Sequence, residues 1–207
     1  MNVLALELST ALGSVARLRD GSEIVREFSN DRKHSGEFFR NLQELCADET
    51  ADVIAVGTGP GSYAGVRIAI ATAIGLRCSS AGRVVGLPSI CALAVREREY
   101  NVIGDARRQT YFFAKVVERR CIEGPDLHTD AELRQRLNSN RAVPVFSSQP
   151  LPQFPQVVVA YPSALELARL AATCDIPNEE RPLEPIYLRE PHITIPRTPS
   201  RAVAVNQ

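Results

Sequence analysis

Short apolar runs separated by polar turns dominate the first hundred residues. Residues 2–8 are almost entirely apolar, the pattern of a strand covered on both faces, and polar and glycine positions at 9–14 end it. Residues 15–19 and 24–28 read as two further strands, split by the turn pair Asp20-Gly21. The period then changes. Over residues 35–48, Phe38, Phe39, Leu42, Leu45 and Cys46 recur on one stripe with charges opposite, which predicts a helix. Residues 53–56 form a short apolar strand, 57–62 a glycine-rich turn, 63–78 a helix and 83–87 a strand, after which Pro88-Ser89 opens a short helix to about Arg98. The predicted order to that point is β-β-β-α-β-α-β-α.

The 63–78 helix is unusual in carrying only Arg67 and Arg77 as charges. A helix apolar nearly all round must be covered on both sides. At about 100° per residue, one half holds Tyr63, Val66, Ile70 and Ile74 beside the two arginines, a face suited to a sheet. The other half holds Ala64, Gly65, Ile68, Ala69, Ala71, Thr72, Ala73, Gly75 and Leu76, small enough to admit another backbone. Such a helix calls for a partner.

Further on, strands are expected at 101–105, 110–117, near Cys121, at 142–146 and at 156–160, with helices at about 129–137 and 163–173. Pro150, Pro152 and Pro155 enforce an extended loop between the last two strands. Eleven of the twelve glycines precede residue 105 and twelve of the fourteen prolines follow it, so a boundary is placed near Tyr100. The division is then 1–100, 101–190 and a tail, 191–207, that is proline-rich, polar and expected to be mobile.

Composition narrows the function. With 44% apolar residues in 207, the chain can bury a real core. Lys+Arg and Asp+Glu balance at 24 each, which leaves no global field for nucleic acid or an anionic membrane, so any RNA contact has to be local. The chain opens directly on an apolar strand, and no run approaches a membrane span, which favours the cytoplasm. Five dispersed cysteines without C-x-x-C argue against a disulfide framework and a zinc site.

Chemistry is sparse. Strand, turn and helix around Gly59, Gly61 and Ser62 make a phosphate-proximal turn a candidate, because unpaired N–H groups collect at a helix start. It is no Walker A loop, since no Lys-Ser or Lys-Thr follows the glycines. G-x-G-x-x-A is satisfied from Gly59 to Ala64, yet this is not the first βα turn and the next strand ends Gly86-Leu87-Pro88 without a ribose-binding carboxylate. The rival reading is a tight turn that lets strand and helix pack closely. His34 lacks the second histidine of a metalloprotease helix, and His34, His128 and His192 are too few and too scattered for a zinc site. The arginine pairs Arg96/Arg98, Arg107/Arg108 and Arg119/Arg120 read as solvated surface, with phosphate contact as the alternative.

Several motifs recur together in order: Leu4-Ala5-Leu6-Glu7-Leu8-Ser9-Thr10, the segment around His34-Ser35, Val56-Gly57-Thr58-Gly59-Pro60-Gly61-Ser62-Tyr63-Ala64-Gly65-Val66-Arg67-Ile68, Asp105-Ala106-Arg107 and Pro185-Ile186-Tyr187-Leu188-Arg189. In them the chain resembles the TsaB (YeaZ) family over nearly its whole length. The resemblance implies an α/β protein of the actin-like ATPase (sugar kinase, Hsp70 and actin) fold, with two lobes of mixed sheet and flanking helices. It implies a non-catalytic, activating subunit that pairs with a TsaD-like transferase, alongside a TsaE-like ATPase, in threonylcarbamoylation of adenosine 37 of tRNA. It also implies no metal and no cofactor of its own, with ATP or ADP as the candidate nucleotide at the joint surface, and tRNA met through the complex. A homodimer through the same surface is the alternative pairing. The pairing residues it points to are Phe38 and Phe39 with Leu42, and Ala64, Ile68, Ala71, Thr72 and Gly75. Three departures bear on chemistry. Glu7 stands where an aspartate is usual, a single histidine stands in the region of TsaD's paired histidines, and Thr110, Tyr111 and Phe112 replace the later positions of D-A-R-x-x-E-V-Y. The competing class is a catalytically competent small ATPase or phosphotransferase, with Glu7 and Asp105 as its plausible carboxylates. A peptidase fails on missing ligands.

Overall fold

The computed structural model describes residues 1–30, 35–46, 50–78, 82–173 and 183–189. His34, His192, Cys174 and the expected tail at 191–207 lie outside the described residues, as does the end of the first predicted helix.

Strands β1 (Asn2–Glu7), β2 (Leu12–Arg19) and β3 (Ser22–Ser29) form an antiparallel meander. Helix α1 (Ser35–Cys46) then leads to β4 (Val53–Gly57), parallel to β1, and α2 (Tyr63–Cys78) leads to β5 (Arg83–Leu87), parallel to β4. The second sheet repeats the plan. Strands β6 (Glu99–Asp105), β7 (Thr110–Val117) and β8 (Arg120–Thr129) form a meander, α3 (Asp130–Ser139) follows, and β9 (Val145–Ser147) and β10 (Val157–Val159) add in parallel. The orders are β3-β2-β1-β4-β5 and β10-β9-β6-β7-β8, so each sheet reads third, second, first, fourth, fifth from its meander edge. That duplicated plan is the actin-like ATPase fold.

Alternation along β1 explains its apolar run. Leu4, Leu6 and Leu8 join Phe38, Leu42 and Leu45 of α1 and Val66, Ala69, Ile70 and Ala73 of α2 in one cluster. Val3 and Ala5 face the other way and meet Leu167, Ala168 and Ala171. Those three belong to α4 (Ala164–Thr173), which follows the second sheet in sequence yet packs on the first. The Ser14 hydroxyl accepts the Ala164 amide at 2.9 Å and holds the start of that helix on β2. In the second sheet, Ile103 and Phe113 lie under Leu133 and Leu137 of α3. A capping box at Thr129 and Glu132 starts α3: the Thr129 hydroxyl accepts the Glu132 amide and Glu132 accepts the Thr129 amide at 2.8 Å.

Two expectations are corrected. The helix predicted from Pro88 to about Arg98 is only one 3₁₀ turn, Ser89–Ala92, with all four residues buried. Pairing with the chain before α4 takes over its backbone groups, since Ala94 donates to Tyr161 O at 3.0 Å and Ser163 to Ala92 O at 2.9 Å. The halves of α2 are also redrawn. Its sheet face is Gly65, Val66, Ala69, Ile70 and Ala73, while Tyr63 and Ile74 are 50% and 47% exposed. The small residues do admit a close backbone, but it is the chain's own: a Cβ on Gly65 would overlap the Leu8 carbonyl.

Residues 183–189 form a strap between the two sheets. Ile186 donates to Thr58 O at 2.8 Å, Leu183 packs on the first core, and Leu188 packs on the cluster around Tyr100 and Phe112.

Candidate functional site

The glycine turn between β4 and α2 is built for packing. Gly59 has φ +90°, a conformation L side chains rarely adopt, and precedes Pro60 through a cis peptide. A Cβ on Gly61 would overlap the Ser9 carbonyl, which accepts the Ser62 amide at 2.6 Å. Ser62 caps α2, its hydroxyl accepting the Gly65 amide at 3.2 Å and its carbonyl the Val66 amide at 3.0 Å. The Gly59 amide donates to Ser89 Oγ at 3.0 Å, and Thr58 donates to Leu87 O at 2.9 Å. Thr58, Gly59, Ser62, Gly65 and Val66 thus spend their N–H groups inside the protein. These amides are not free to cradle a phosphate.

Beneath the turn lies Glu7, fully buried at the end of β1. Its Oε1 accepts the Ser9 amide at 2.6 Å, while among the described residues Oε2 and the Ser9 hydroxyl have no hydrogen-bond partner. Gly57 leaves just enough room, because a Cβ there would overlap the Glu7 carboxyl and lie 2.7 Å from Ser89 Oγ. Burial pushes the Glu7 carboxyl up, and the nearby Ser9 and Ser89 groups oppose the rise only in part. No cation is among the groups acting on it. A Mg²⁺–nucleotide pair of the kind the fold family implies does not fit this donor set. Glu7 has no opening to solvent, Asp105 turns its Oδ1 to the Arg107 amide at 2.7 Å, and among the described residues no group of three or more His, Cys, Asp or Glu side chains could hold a metal.

The exposed side of α2 presents Ala64, Arg67, Ile68, Ala71, Ile74 and Gly75, with Thr72 half-buried at its edge. Ile68 is 43% exposed, and nothing lies within 4 Å of where a Gly75 Cβ would be. Phe39 of α1 is 54% exposed with its ring 4.8 Å from that of Phe38. Phe38 and Leu42, expected at the pairing surface, are instead core residues at 3% and 6% exposure. The apolar stripe of α1 is wide enough to be split, so Phe38, Leu42 and Leu45 cover the sheet and Phe39 is left outside.

The family model for TsaD, tRNA N6-adenosine threonylcarbamoyltransferase, matches residues 29–131. The chain is 30% identical over 131 residues to the tRNA threonylcarbamoyladenosine biosynthesis protein TsaB of Haemophilus influenzae, across 58% of this chain and 56% of that protein. The chain thus spans little more than half the length of that relative. An uncharacterized protein of Mycobacterium tuberculosis is 25% identical across 91% of this chain and 92% of its own. A crystal structure from Pseudomonas aeruginosa, described as similar to peptidase YEAZ, superposes with a TM-score of 0.69 at 24% identity, over 91% of this chain and 99% of that one. The chain resembles TsaB (YeaZ) proteins in sequence and in fold. The Gly59–Ser62 turn sets the placement of α2 over the end of β1.

Three elements of the site escaped the sequence reading. Ser89 completes the Glu7 pocket from thirty residues beyond the turn, and nothing local marks it. Tyr187 stacks on Tyr63, with ring centroids 5.4 Å apart, through a strap whose course only the tertiary structure reveals. Gly86 was a signal in plain view: a Cβ there would meet Leu183 at 3.0 Å, a close approach that a glycine inside a strand can mark.

Proposed function

We propose that this chain is the accessory subunit of a tRNA threonylcarbamoyladenosine-forming assembly and pairs through the outer face of α2 with a TsaD-like transferase. The observation that carries the reading is the exposed apolar face itself. Ile68 and Ile74 stand among Ala64, Ala71 and Gly75, with Phe39 on the neighbouring helix, and no part of the described chain covers them. Small residues flanked by bulky ones suit helix-on-helix packing, where the partner's ridges enter the gaps. The relatives' names supply the tRNA modification. The buried Glu7 and the committed turn amides support a role without chemistry of its own. A TsaE-like ATPase, ATP or ADP at the joint surface and a cytoplasmic setting complete the proposal, with the two lobes dividing near Tyr100. Among the described residues no helix is long and apolar enough to cross a membrane.

The deciding experiment is co-purification with a TsaD-like subunit. Ala71→Arg or Gly75→Arg places a long cation on the open face without touching the core. Each variant is expected to keep its melting temperature within a few degrees and to lose the complex. Unchanged association would remove the pairing face from consideration. The competing reading, a small ATPase, requires that the chain alone hydrolyse Mg-ATP and that Glu7→Gln abolish the activity. A homodimer through the same face is expected where the partner is absent, since an isologous contact uses one apolar patch twice.

A further inference from the structure

Two exposed tyrosine rings and four exposed arginines lie along one line across the molecule. Tyr63 heads α2 and Tyr187 sits in the strap, 50% and 44% exposed, with their rings tilted by 31°. Arg67, one turn along α2, has its guanidinium carbon 5.0 Å from the Tyr63 centroid and donates to the Tyr63 hydroxyl. At the other end of the strap Arg189 donates to Thr110 Oγ1 and, at 3.5 Å, to Arg107 O, which ties the line to the β6–β7 turn. Arg107 and Arg108 project from that turn into solvent.

Two features suit this strip to an anionic ligand, and the paired tyrosines between its arginines distinguish it from Arg40, Arg96, Arg120 and Arg141, which are likewise without an ion pair among the described residues. Among the described residues none of its four arginines is in an ion pair, whereas Arg98, Arg119, Arg134, Arg136 and Arg169 are each matched to a carboxylate. Asp105, the acid next to the turn, spends Oδ1 on the Arg107 backbone. The turn also holds Arg107, Arg108 and Gln109 at φ 68°, 53° and 58°. Left-handed backbone costs a non-glycine residue about 1–2 kcal/mol, so glycine or asparagine would be the cheaper occupant.

Unpaired guanidinium groups at both ends with aromatic faces between them match the chemistry of a single-stranded nucleic acid. Phosphates take the arginines and unstacked bases take the rings. An anionic lipid surface would use the charge and leave the rings idle, while a duplex keeps its bases stacked away from them. With zero formal net charge on the chain, such binding depends on this strip rather than on the overall field. We propose that the strip from Arg67 through Tyr63, Tyr187 and Arg189 to Arg107 and Arg108 docks a single-stranded RNA segment. The choice of RNA rests on the proposed function, which the strip deepens by giving RNA its own contact on this chain. On the α2 wheel, Tyr63 and Arg67 lie within about 40° of each other, while Ala64, Ile68, Ala71 and Gly75 gather about 80–140° round from Tyr63, so the two surfaces adjoin without coinciding.

The test titrates the full chain, by fluorescence anisotropy at several salt concentrations, against a labelled single-stranded RNA and the same RNA annealed as a duplex, with ATP as competitor. The single strand is expected to bind more tightly than the duplex. Arg107→Glu with Arg108→Glu should weaken it about tenfold or more and reduce the salt slope by about 0.7 for each phosphate that is no longer neutralised. Tyr187→Ala should cost about five- to a hundredfold, and Tyr187→Phe should keep the affinity because it keeps the stack. Arg141→Glu, in the turn after α3 and outside the strip, should change nothing, and thermal melts confirm that each variant folds. Wild-type affinity in the double-arginine and Tyr187→Ala variants overturns the proposal. So does absent binding, tighter binding of the duplex, or displacement of the RNA by stoichiometric ATP. Pairing of the same variants with the TsaD-like subunit is measured alongside. Retained pairing with unchanged RNA affinity sinks this inference alone, whereas a wild-type chain that binds RNA but never pairs sinks the proposed function alone.

Discussion

Glu7 sits where a charge would be costly and where no cation offsets it. A carboxylate with one oxygen unpartnered in a closed pocket lowers its energy by taking up a proton, which the Ser9 or Ser89 oxygen can then accept. The sign of the pH effect follows. The folded state holds the proton more tightly than the unfolded chain, so the stabilisation is complete below the unfolded value of about 4.3 and is lost as pH rises towards the folded one. One such group gives a slope of up to about 1.4 kcal/mol per pH unit in that window. Glu7→Gln preserves shape and supplies its own donor, so it should match the wild type near pH 4 and exceed it at pH 7. Urea melts between those values check this, and parallel curves would show that Glu7 is ionised in the fold. The exposed carboxylates Glu23 and Glu132, whose hydrogen bonds to Arg169 and Thr129 lower their values, cancel in the comparison.

At the scale of the element, α2 carries two glycines with opposite roles. Gly65 faces β1, and an added methyl would strike the Leu8 carbonyl, a backbone atom that cannot swing aside. Gly75 faces open space. Gly65→Ala should therefore destabilise by about 3 kcal/mol as overpacking. Gly75→Ala should stabilise by about 0.5–1 kcal/mol through helix propensity alone. Chemical denaturation of the two variants distinguishes this orientation of the helix from the reverse, in which the signs exchange. The same pair marks the limit of what could be read from the chain. Periodicity placed the bounds of α2 and β5 where they stand and anticipated all ten described strands, because apolar spacing and turn residues are local. It gave the wrong face for Gly65, Ala69 and Ala73, since small residues are equally suited to a partner's backbone and to the chain's own. Only the packing of β1 beneath them decides between the two. The helix expected beyond Pro88 failed for a related reason: a bridge from Leu93 to Pro162, some seventy residues later in the chain, outweighs the local preference.

For the molecule as a whole, two sheets of one plan have to be kept in register with each other. Arg119, in the β7–β8 turn of the second sheet, reaches back across the connector, its guanidinium donating to Leu93 O and, at 2.7 Å, to Val95 O. It also pairs at 3.3 Å with Glu166 of α4, and the two side chains are 24% and 19% exposed. Glu166 in turn meets Arg169 at 2.6 Å, and Arg169 meets Glu23 on β3 at 2.6 Å. A polar chain thus runs from the second sheet through α4 to the far edge of the first. The half-buried site makes the fork geometry matter, because two carbonyls and a carboxylate are served by one planar group. Arg119→Met removes one donor from each of those carbonyls and leaves Glu166 with Arg169 alone, and should cost about 1–3 kcal/mol. Arg119→Lys should recover only part, since one ammonium cannot span the three acceptors. Hydrogen exchange should report the loss at Ala94 and Ser163, the amides that join the connector to the start of α4, before it appears in β1 or β4. Equal loss of protection throughout both sheets would mean that Arg119 supports the fold generally and that something else holds the lobes together.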